Sequence, residues 1–260
     1  MGPVRASGDD FPWWLIAVGL LLGGAYLAIW RDDISREVLI TLRRGVWITV
    51  LVTVVSFTAA SLLGLGIALM SLSRHMAIRQ TARFYTEVIR GVPILVLLLY
   101  VAFVLAPGLV SLWNWAGLPE ARTRDFPLLW RAVLALVIAY SAFIAEVFRA
   151  GIQSVPKGQI EAGKALGLNG RTIMRRVTLP QAVRNTLPAL GNDLIALFKD
   201  TSLVSVIAAA ELTYNARIYQ GSSFRVRETF FILMVIYVTL TLILSLALRF
   251  IESRLAIPNR

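Results

Sequence analysis

The sequence predicts an all-α protein that crosses a membrane several times, and three observations support this class. The 260 residues are 57% hydrophobic with a mean hydropathy of +0.72, which is well above the balance typical of soluble domains. Uncharged runs long enough to span a bilayer recur along the chain, one of them between Arg44 and Arg74. One polar, basic insert, residues 152–186, interrupts this apolar pattern. We therefore expect a bundle of six membrane-spanning helices that carries one long hydrophilic loop.

The residue composition excludes several kinds of chemistry. No cysteine is present, which rules out disulfides, thiolate metal sites and cysteine nucleophiles. His75 is the only histidine in the sequence, so no metal site is expected. The net charge is +11, but most of the arginines flank apolar runs, where anionic lipid headgroups account for them. Membrane lipid is therefore an expected partner, and nucleic acid is not.

The N-terminal region, residues 1–44, is predicted to hold one span and a linker. Span one covers residues 13–30 and carries tryptophans at both ends, which is typical of side chains at a membrane interface. Charged residues follow it in place of the small residues of a cleavage site, so we expect a retained helix and not a signal peptide. Residues 31–44 are predicted to form an interfacial amphipathic helix, because Val38 and Leu42 share one face at helical spacing with Ile34.

The remaining domain, residues 45–255, is predicted to contain five further spans. Pro93 is expected to start or kink the third span of the chain, and Pro107 with Gly108 is expected to end it. An even number of spans places both chain ends on the same side of the membrane. The five spans are predicted at residues 46–72, 88–105, 132–151, 187–208 and 230–248.

The hydrophilic loop is predicted to fold into two short helices. Residues 157–168 are reasonable helix formers with an unusually small surface, which lets another backbone approach closely. The dipeptide at 169–170 signals a turn, and a second helix is expected over residues 171–177, ending at Leu179-Pro180. Such a compact knob suits a cleft in another protein. The alternative that composition leaves open is a solvated connecting loop.

The spacing within this loop resembles the EAA motif of ABC importer permeases. The loop reads E-A-G at residues 161–163. Three residues then separate it from Gly167, and nine more residues separate Gly167 from V-T-L-P at 177–180. The usual pattern has alanine where this chain has Gly163 and isoleucine where it has Val177. Both departures are conservative, and the spacing is unchanged.

The resemblance extends over most of the chain, roughly residues 45–251, and is to the polar amino acid uptake permeases of the histidine, glutamine, glutamate and arginine type. It is carried by four further segments outside or overlapping the loop. These segments are RGVP (90–93), AEVFRAGIQSVPKGQIEAGKALGL (145–168), LPQAVRNTLPALGN (179–192) and ALFKDTSLVSVI (196–207).

The resemblance implies a fold, a location and a set of partners. It implies a type I importer permease (MetI-like) core of five helices, to which this chain adds one N-terminal helix, in a bacterial inner membrane. The partners implied are a cytoplasmic ABC ATPase dimer, a second permease subunit and a periplasmic or lipid-anchored binding protein that delivers a polar amino acid. In such a permease the loop couples to the ATPase, and the residues of this chain that match are Glu161, Ala162, Gly163, Ala165, Gly167, Leu179 and Pro180.

The sequence has no phosphate-binding loop of the form G-x-x-x-x-G-K-[ST], so the chain is not expected to be an enzyme or to bind a cofactor. ATP and Mg²⁺ are expected to be used by the partner ATPase. Two alternatives remain open at this point: a permease of the same fold for another small polar solute, and an ion channel lined by the polar residues of span five.

Polar residues inside the spans mark candidate functional positions, because intramembrane charges are costly. Span five contains four consecutive polar residues, which we interpret as part of a substrate pathway. The alternatives are a structural pair between Lys199 and Asp200, or a break in the span there. Near the end of span four, Glu146 and Arg149 lie three residues apart and are expected to form a structural pair. The four residues of the predicted pathway are Lys199, Asp200, Thr201 and Ser202.

The orientation of the bundle rests mainly on the motif. Basic residues are divided almost evenly between the two ends of the bundle, so the charge distribution supports a cytoplasmic loop only weakly. The EAA resemblance places residues 152–186 in the cytoplasm, and both chain ends with them.

Overall fold

The structure, a computed structural model, describes residues 13–255, and no strand occurs within that range. Residues 1–12 of the predicted N-terminal region lie outside the described residues. Within the described range, five helices are long and apolar enough to cross a membrane, one fewer than the six spans expected. These helices are Trp13–Arg31, Asp33–Ser71, Ile94–Trp115, Leu128–Gln153 and Val226–Arg254.

The first two helices, α1 (Trp13–Arg31) and α2 (Asp33–Ser71), are separated by a single residue. Asp32 begins α2, because its carboxylate accepts hydrogen bonds from the Ser35 backbone N–H at 2.9 Å and from the Ser35 hydroxyl at 2.6 Å. The predicted separate interfacial helix is wrong, since residues 33–44 form the first part of the same helix as span two. Val38 is completely buried in an apolar cluster and does not face lipid headgroups.

The next segment is the amphipathic helix α3 (Met76–Gly91). One side of α3 is buried, and the Tyr85 hydroxyl there lies 2.8 Å from the Ser141 hydroxyl. Pro93 then caps the following span, as its fixed backbone angle and missing N–H favour. Pro93 therefore starts the span, one of the two roles predicted for it.

Span three does not end at Pro107-Gly108, contrary to the prediction. It consists of α4 (Ile94–Tyr100) and α5 (Ala106–Trp115), joined by a π-helical turn over Val101–Leu105. The Ala106 N–H reaches the carbonyl of Val101, five residues back. In this wider register Pro107 would pair with the Ala102 carbonyl, but it has no N–H to give. The turn therefore absorbs the proline and leaves one buried carbonyl to be satisfied from elsewhere.

That carbonyl is satisfied from the next span, α6 (Leu128–Gln153). Arg131, which is 8% exposed, donates to the Ala102 carbonyl at 3.1 Å and to the Phe126 carbonyl at 2.7 Å. The α6 helix is the centre of the bundle, because 61% of its most apolar 18-residue stretch is buried, against 6% for the corresponding stretch of α1. The close packing of α2 against α6 depends on Gly64, where an added Cβ would lie 2.9 Å from the Ser141 carbonyl oxygen.

The hydrophilic loop contains α7 (Lys157–Ala165) and α8 (Gly170–Ile173). A π-helical turn over Met174–Thr178 then leads directly into α9 (Leu179–Asp200). The predicted boundary at Leu179-Pro180 is therefore wrong. Pro180 follows the π-helical turn, whose wider register accommodates its missing N–H, so the helix continues without a stop.

The predicted fifth span, residues 187–208, is broken after Asp200. The chain continues as a 3₁₀ helix over Thr201–Ile207 and then as α10 (Leu212–Ser223), before α11 (Val226–Leu255) forms the last span. Ala208, between the 3₁₀ helix and α10, adopts the left-handed region with φ of 58°. The stretch predicted as the fifth span is therefore divided among the end of α9, the 3₁₀ helix and the connection to α10. None of these elements is among the five apolar helices of the described range.

Candidate functional site

The hydrophilic loop owes its shape to the end of α7. Gly167 has φ of +74°, in the left-handed region, and its N–H donates to the Lys164 carbonyl at 2.9 Å. The Leu168 N–H donates to the Gly163 carbonyl at 3.1 Å. These two bonds form a Schellman motif, which closes a helix and favours glycine at this position. The glycine of the EAA-like spacing is therefore a backbone requirement.

The two halves of the loop pack on each other through Gly163, which is buried. A Cβ added at Gly163 would lie 3.1 Å from Cγ1 of Ile173, so the helices approach as closely as a glycine permits. The Asn169 side chain starts α8 by accepting a hydrogen bond from the Thr172 N–H at 2.8 Å. The loop is thus a fixed body with its own contacts, and it is more than a solvated connection.

The outward surface of this body is formed by α7. Glu161, Ala162 and Ala165 are exposed there, beside Leu166, which is 79% exposed. Sequence reasoning missed Leu166, although an isolated leucine at the end of a hydrophilic helix was a visible signal. The outward surface of α7 therefore combines small side chains with one exposed leucine.

The base of the loop is clamped between α6 and α9. The Asn185 amide donates to the Ser154 hydroxyl at 2.8 Å. Gly151 lies directly under Thr186, and an added Cβ would come within 2.1 Å of the threonine methyl. Leu179 and Pro180 are exposed in the first turn of α9, on the same continuous helix as α8. The second half of the loop and α9 are therefore parts of one continuous helix.

The four polar residues predicted as a pathway do not form one site. The Tyr140 hydroxyl of α6 donates to the Asp200 carboxylate at 2.7 Å. Thr201 is completely buried and donates to the Phe198 carbonyl at 2.7 Å. Lys199 points elsewhere and, among residues 13–255, forms no ion pair with Asp200. The geometry therefore separates Lys199 and Ser202 from the other two.

Lys199 and Ser202 line a cavity of about 620 Å³ between the end of α9, α11 and α1. Four polar side chains of α11 face it at intervals of four residues, a pattern that was visible in the sequence and was not used. The guanidinium of Arg249 closes one end, 5.0 Å from the centre of the Trp14 ring. The polar residues that α11 contributes are Tyr237, Thr241, Ser245 and Arg249.

Two acidic residues inside the bundle were not assigned from the sequence. Asp193 has one buried carboxylate oxygen with no hydrogen-bond partner in the described part of the chain. Glu211 is completely buried at the start of α10, where its side chain accepts from the Thr213 and Tyr214 N–H groups. An acidic residue just before a short helical segment is a capping signal, and it could have identified Glu211.

The pair expected near the end of α6 has the predicted geometry, since Arg149 Nε donates to the Glu146 carboxylate at 2.9 Å. Glu146 also lines a second cavity, of about 600 Å³, together with Arg90, Ser154 and Asn185. This cavity lies at the base of the hydrophilic loop. The Arg90 guanidinium sits 5.7 Å from the centre of the Phe143 ring.

Comparison with known proteins places this arrangement in a family. Residues 60–257 match the binding-protein-dependent transport system inner membrane component family. The chain is 33% identical over 211 residues to a probable glutamine ABC transporter permease of Bacillus subtilis, covering 81% of this chain and 91% of that protein. It is 34% identical over 211 residues to an octopine transport system permease of Rhizobium radiobacter, covering 80% of this chain and 83% of the relative.

Among solved structures, the chain is similar to a subunit in the crystal structure of an amino acid ABC transporter with histidines. The two are 38% identical with a TM-score of 0.74, and the match covers 86% of this chain and 98% of the other. The predicted fold class, an importer permease, is confirmed. The helical bundle, the loop and these likenesses together show that the chain belongs to the family of inner-membrane components of binding-protein-dependent transport systems, and that it is a permease subunit of an ABC importer.

Proposed function

We propose that this permease moves a polar amino acid across the inner membrane by alternating access, driven by ATP hydrolysis in a partner ATPase. The observation that carries the proposal is the continuous helix from Gly170 to Asp200, which joins the hydrophilic loop to the intramembrane lysine. The names of the relatives, which refer to glutamine, octopine and an amino acid transporter, support an amino acid as the substrate.

The loop is the coupling element in this proposal. A cytoplasmic ATPase dimer grips the exposed surface of α7 at Glu161, Ala162 and Ala165, while Gly163 and Gly167 maintain the shape of the loop. A helix that runs from Gly170 to Asp200 is about 45 Å long, since each residue adds about 1.5 Å. ATP closes the ATPase dimer, the loops of two permease subunits move together, and α9 carries this movement into the bundle. Hydrolysis reverses it.

The substrate enters from a periplasmic or lipid-anchored binding protein on the side opposite the loop. Lys199 then offers a positive charge to the substrate carboxylate inside the cavity, and Ser202 offers a hydroxyl. Asp200 and Thr201, which bond within the bundle, hold the end of α9 in place. Glu146 and Arg149 brace α6 at the base of the loop.

The test is reconstitution of the permease in liposomes with its cognate ATPase and binding protein. We expect uptake of a polar amino acid that requires ATP, and loss of this uptake in Glu161→Lys with normal membrane insertion. Glu120→Lys is the matched control, because Glu120 is also exposed but lies in the loop at the opposite end of the bundle. Normal uptake in Glu161→Lys would refute the role of the loop.

The same liposomes separate a transporter from a channel. A channel lined by Lys199 and Ser202 would conduct without ATP and without the binding protein. We expect no current under those conditions.

A further inference from the structure

The carboxylate of Glu211, which caps α10, lies in the interior of the bundle. It is 0% exposed and sits beside Tyr237, whose ring contacts Phe198 with 5.8 Å between the ring centres. Tyr237 thus lies between Glu211 and the end of α9, and a buried charge in this interior is costly unless it is well bonded.

Two short hydrogen bonds attach Glu211 firmly to α10. Its Oε1 accepts from the Tyr214 N–H at 2.7 Å, and its Oε2 accepts from the Thr213 N–H at 2.8 Å. These bonds satisfy the first N–H groups of α10, whose positive end favours an anion. The carboxylate of Glu211 therefore offsets the partial positive charge at the N-terminal end of α10.

Two longer hydrogen bonds connect the same carboxylate to neighbouring helices. The Tyr237 hydroxyl of α11 lies 3.3 Å from Oε2, and the Thr49 hydroxyl of α2 lies 3.5 Å from it. The Tyr237 hydroxyl also has a second partner on α10, the Thr213 hydroxyl at 2.8 Å. Glu211 thus moves with α10, whereas its bonds to α2 and α11 are the ones that stretch when these helices separate.

The backbone next to Glu211, at the start of α10, packs closely against α2. A Cβ added at Gly45 of α2 would lie 2.6 Å from the Leu212 Cα, so the two helices touch through their backbones. The Leu212 N–H also donates to the Thr49 hydroxyl at 3.2 Å. One α2 hydroxyl therefore serves both the start of α10 and the carboxylate that caps it.

We propose that Glu211 is a positioning residue for transport: it holds α10 between α2 and α11 in this conformation, and its links to Thr49 and Tyr237 break as the end of the bundle opposite the loop opens. The inference rests on the proposed function, since it assigns a part of the alternating-access cycle. Because Tyr237 also lines the cavity with Lys199, release of this link moves the cavity wall.

The first test measures the separation of α10 and α2 directly and does not depend on transport. The sequence has no cysteine, so cysteines introduced at Ile218 of α10 and Ile40 of α2 take spin labels specifically, and both positions are exposed. We compare Glu211→Asp, in which a shorter side chain still caps α10 but no longer reaches α11, with Tyr237→Phe. Each is expected to raise the population with a longer distance by about threefold to tenfold, as for the loss of one hydrogen bond.

A control separates this effect from a change in the cavity. Thr241→Val removes a cavity hydroxyl on α11 that has no bond to Glu211, and it is expected to leave the distance distribution unchanged. If Glu211→Asp and Tyr237→Phe also leave it unchanged, Glu211 only caps α10 and the proposal is overturned.

The second test uses the ratio of ATPase rates with and without the binding protein in the assembled transporter. A merely structural defect lowers both rates in proportion to the folded protein. Loss of the Glu211 link is expected to lower the stimulation ratio instead, about threefold or more in Tyr237→Phe. An unchanged ratio in Tyr237→Phe would overturn the proposal about Glu211. Absence of amino acid uptake in the unsubstituted transporter would instead overturn the proposed function.

Discussion

At the scale of single residues, Gly167 shows how a sequence motif follows from backbone geometry. Its φ of +74° lies in a region that costs other residues roughly 1–2 kcal/mol. No side chain lies within 4 Å of the space that a Cβ would fill, so the restriction comes from the backbone alone. The glycine is therefore required by the backbone conformation of the loop itself.

Gly167→Ala is accordingly expected to destabilise the end of α7 by about 1 kcal/mol and to weaken coupling to the ATPase. Gly158→Ala is the matched control, because it also adds a methyl group in open space on α7 but has no positive φ. The measurement is ATPase stimulation by the binding protein in the assembled transporter. Equal stimulation in the two variants would contradict the backbone argument.

Lys199 gives a second prediction at this scale. Lys199→Gln removes the positive charge from the cavity, and we expect it to reduce uptake at low substrate concentration by about tenfold, the effect of losing about 1.4 kcal/mol of binding. Lys199→Arg keeps the charge and is expected to retain most of the uptake. The check is the concentration dependence of uptake, and a loss of equal size in both variants would point to packing in place of charge.

The residues that sequence reasoning identified and missed differ in one physical respect. The loop glycines could be found because their roles depend on neighbours only a few positions away. Glu211 could not be fully interpreted, because its bond partners Thr49 and Tyr237 lie far away in the sequence. Lys199 and Asp200 were grouped by adjacency, but successive residues of a helix point about 100° apart, and they face different neighbours.

At the scale of elements, apolar runs located the five helices that are long and apolar enough to cross a membrane, whereas prolines misled the boundaries. Pro107 and Pro180 were both interpreted as helix ends, and in both cases a π-helical turn just before the proline lets the helix continue. At Pro107 the remaining carbonyl is satisfied by Arg131. That contact joins two spans, so no local pattern could have shown it.

The contact between Arg131 and the Ala102 carbonyl predicts that a second substitution, Pro107→Ala, partly restores the stability lost in Arg131→Met. Arg131→Met leaves the buried Ala102 carbonyl without a partner and should cost about 1–3 kcal/mol. Pro107→Ala restores a backbone N–H near that carbonyl, so the double variant should be more stable than the sum of the single effects predicts. The measurement is the melting temperature in detergent of the two single variants and the double variant. Additive effects would show that the π-helical turn and Arg131 are independent.

At the scale of the whole molecule, the remaining expectation is the orientation of the bundle. The basic residues are almost evenly distributed, so the orientation rests on the loop and its proposed ATPase partner. Because the natural chain has no cysteine, single cysteines report the orientation cleanly.

A cysteine at Leu166, 79% exposed on the loop, should react with a membrane-impermeant maleimide in inside-out vesicles and not in intact spheroplasts. A cysteine at Trp115, 84% exposed at the opposite end of the bundle, should show the reverse pattern. Labelling of Leu166→Cys from outside would place the loop in the wrong compartment for an ATPase.

The weak attachment of α1 has a consequence for the insertion of the protein. Only 6% of its most apolar 18-residue stretch is buried. Asp32 caps α2 through a hydrogen bond with Ser35 of α2 itself. A chain shortened to begin near Arg31 therefore keeps a complete start signal for its next helix. The first residue of such a chain would lie on the opposite face of the membrane from the present N-terminus, while the hydrophilic loop would stay on its present side. The number of membrane crossings and the orientation of the bundle are therefore separate properties of this sequence.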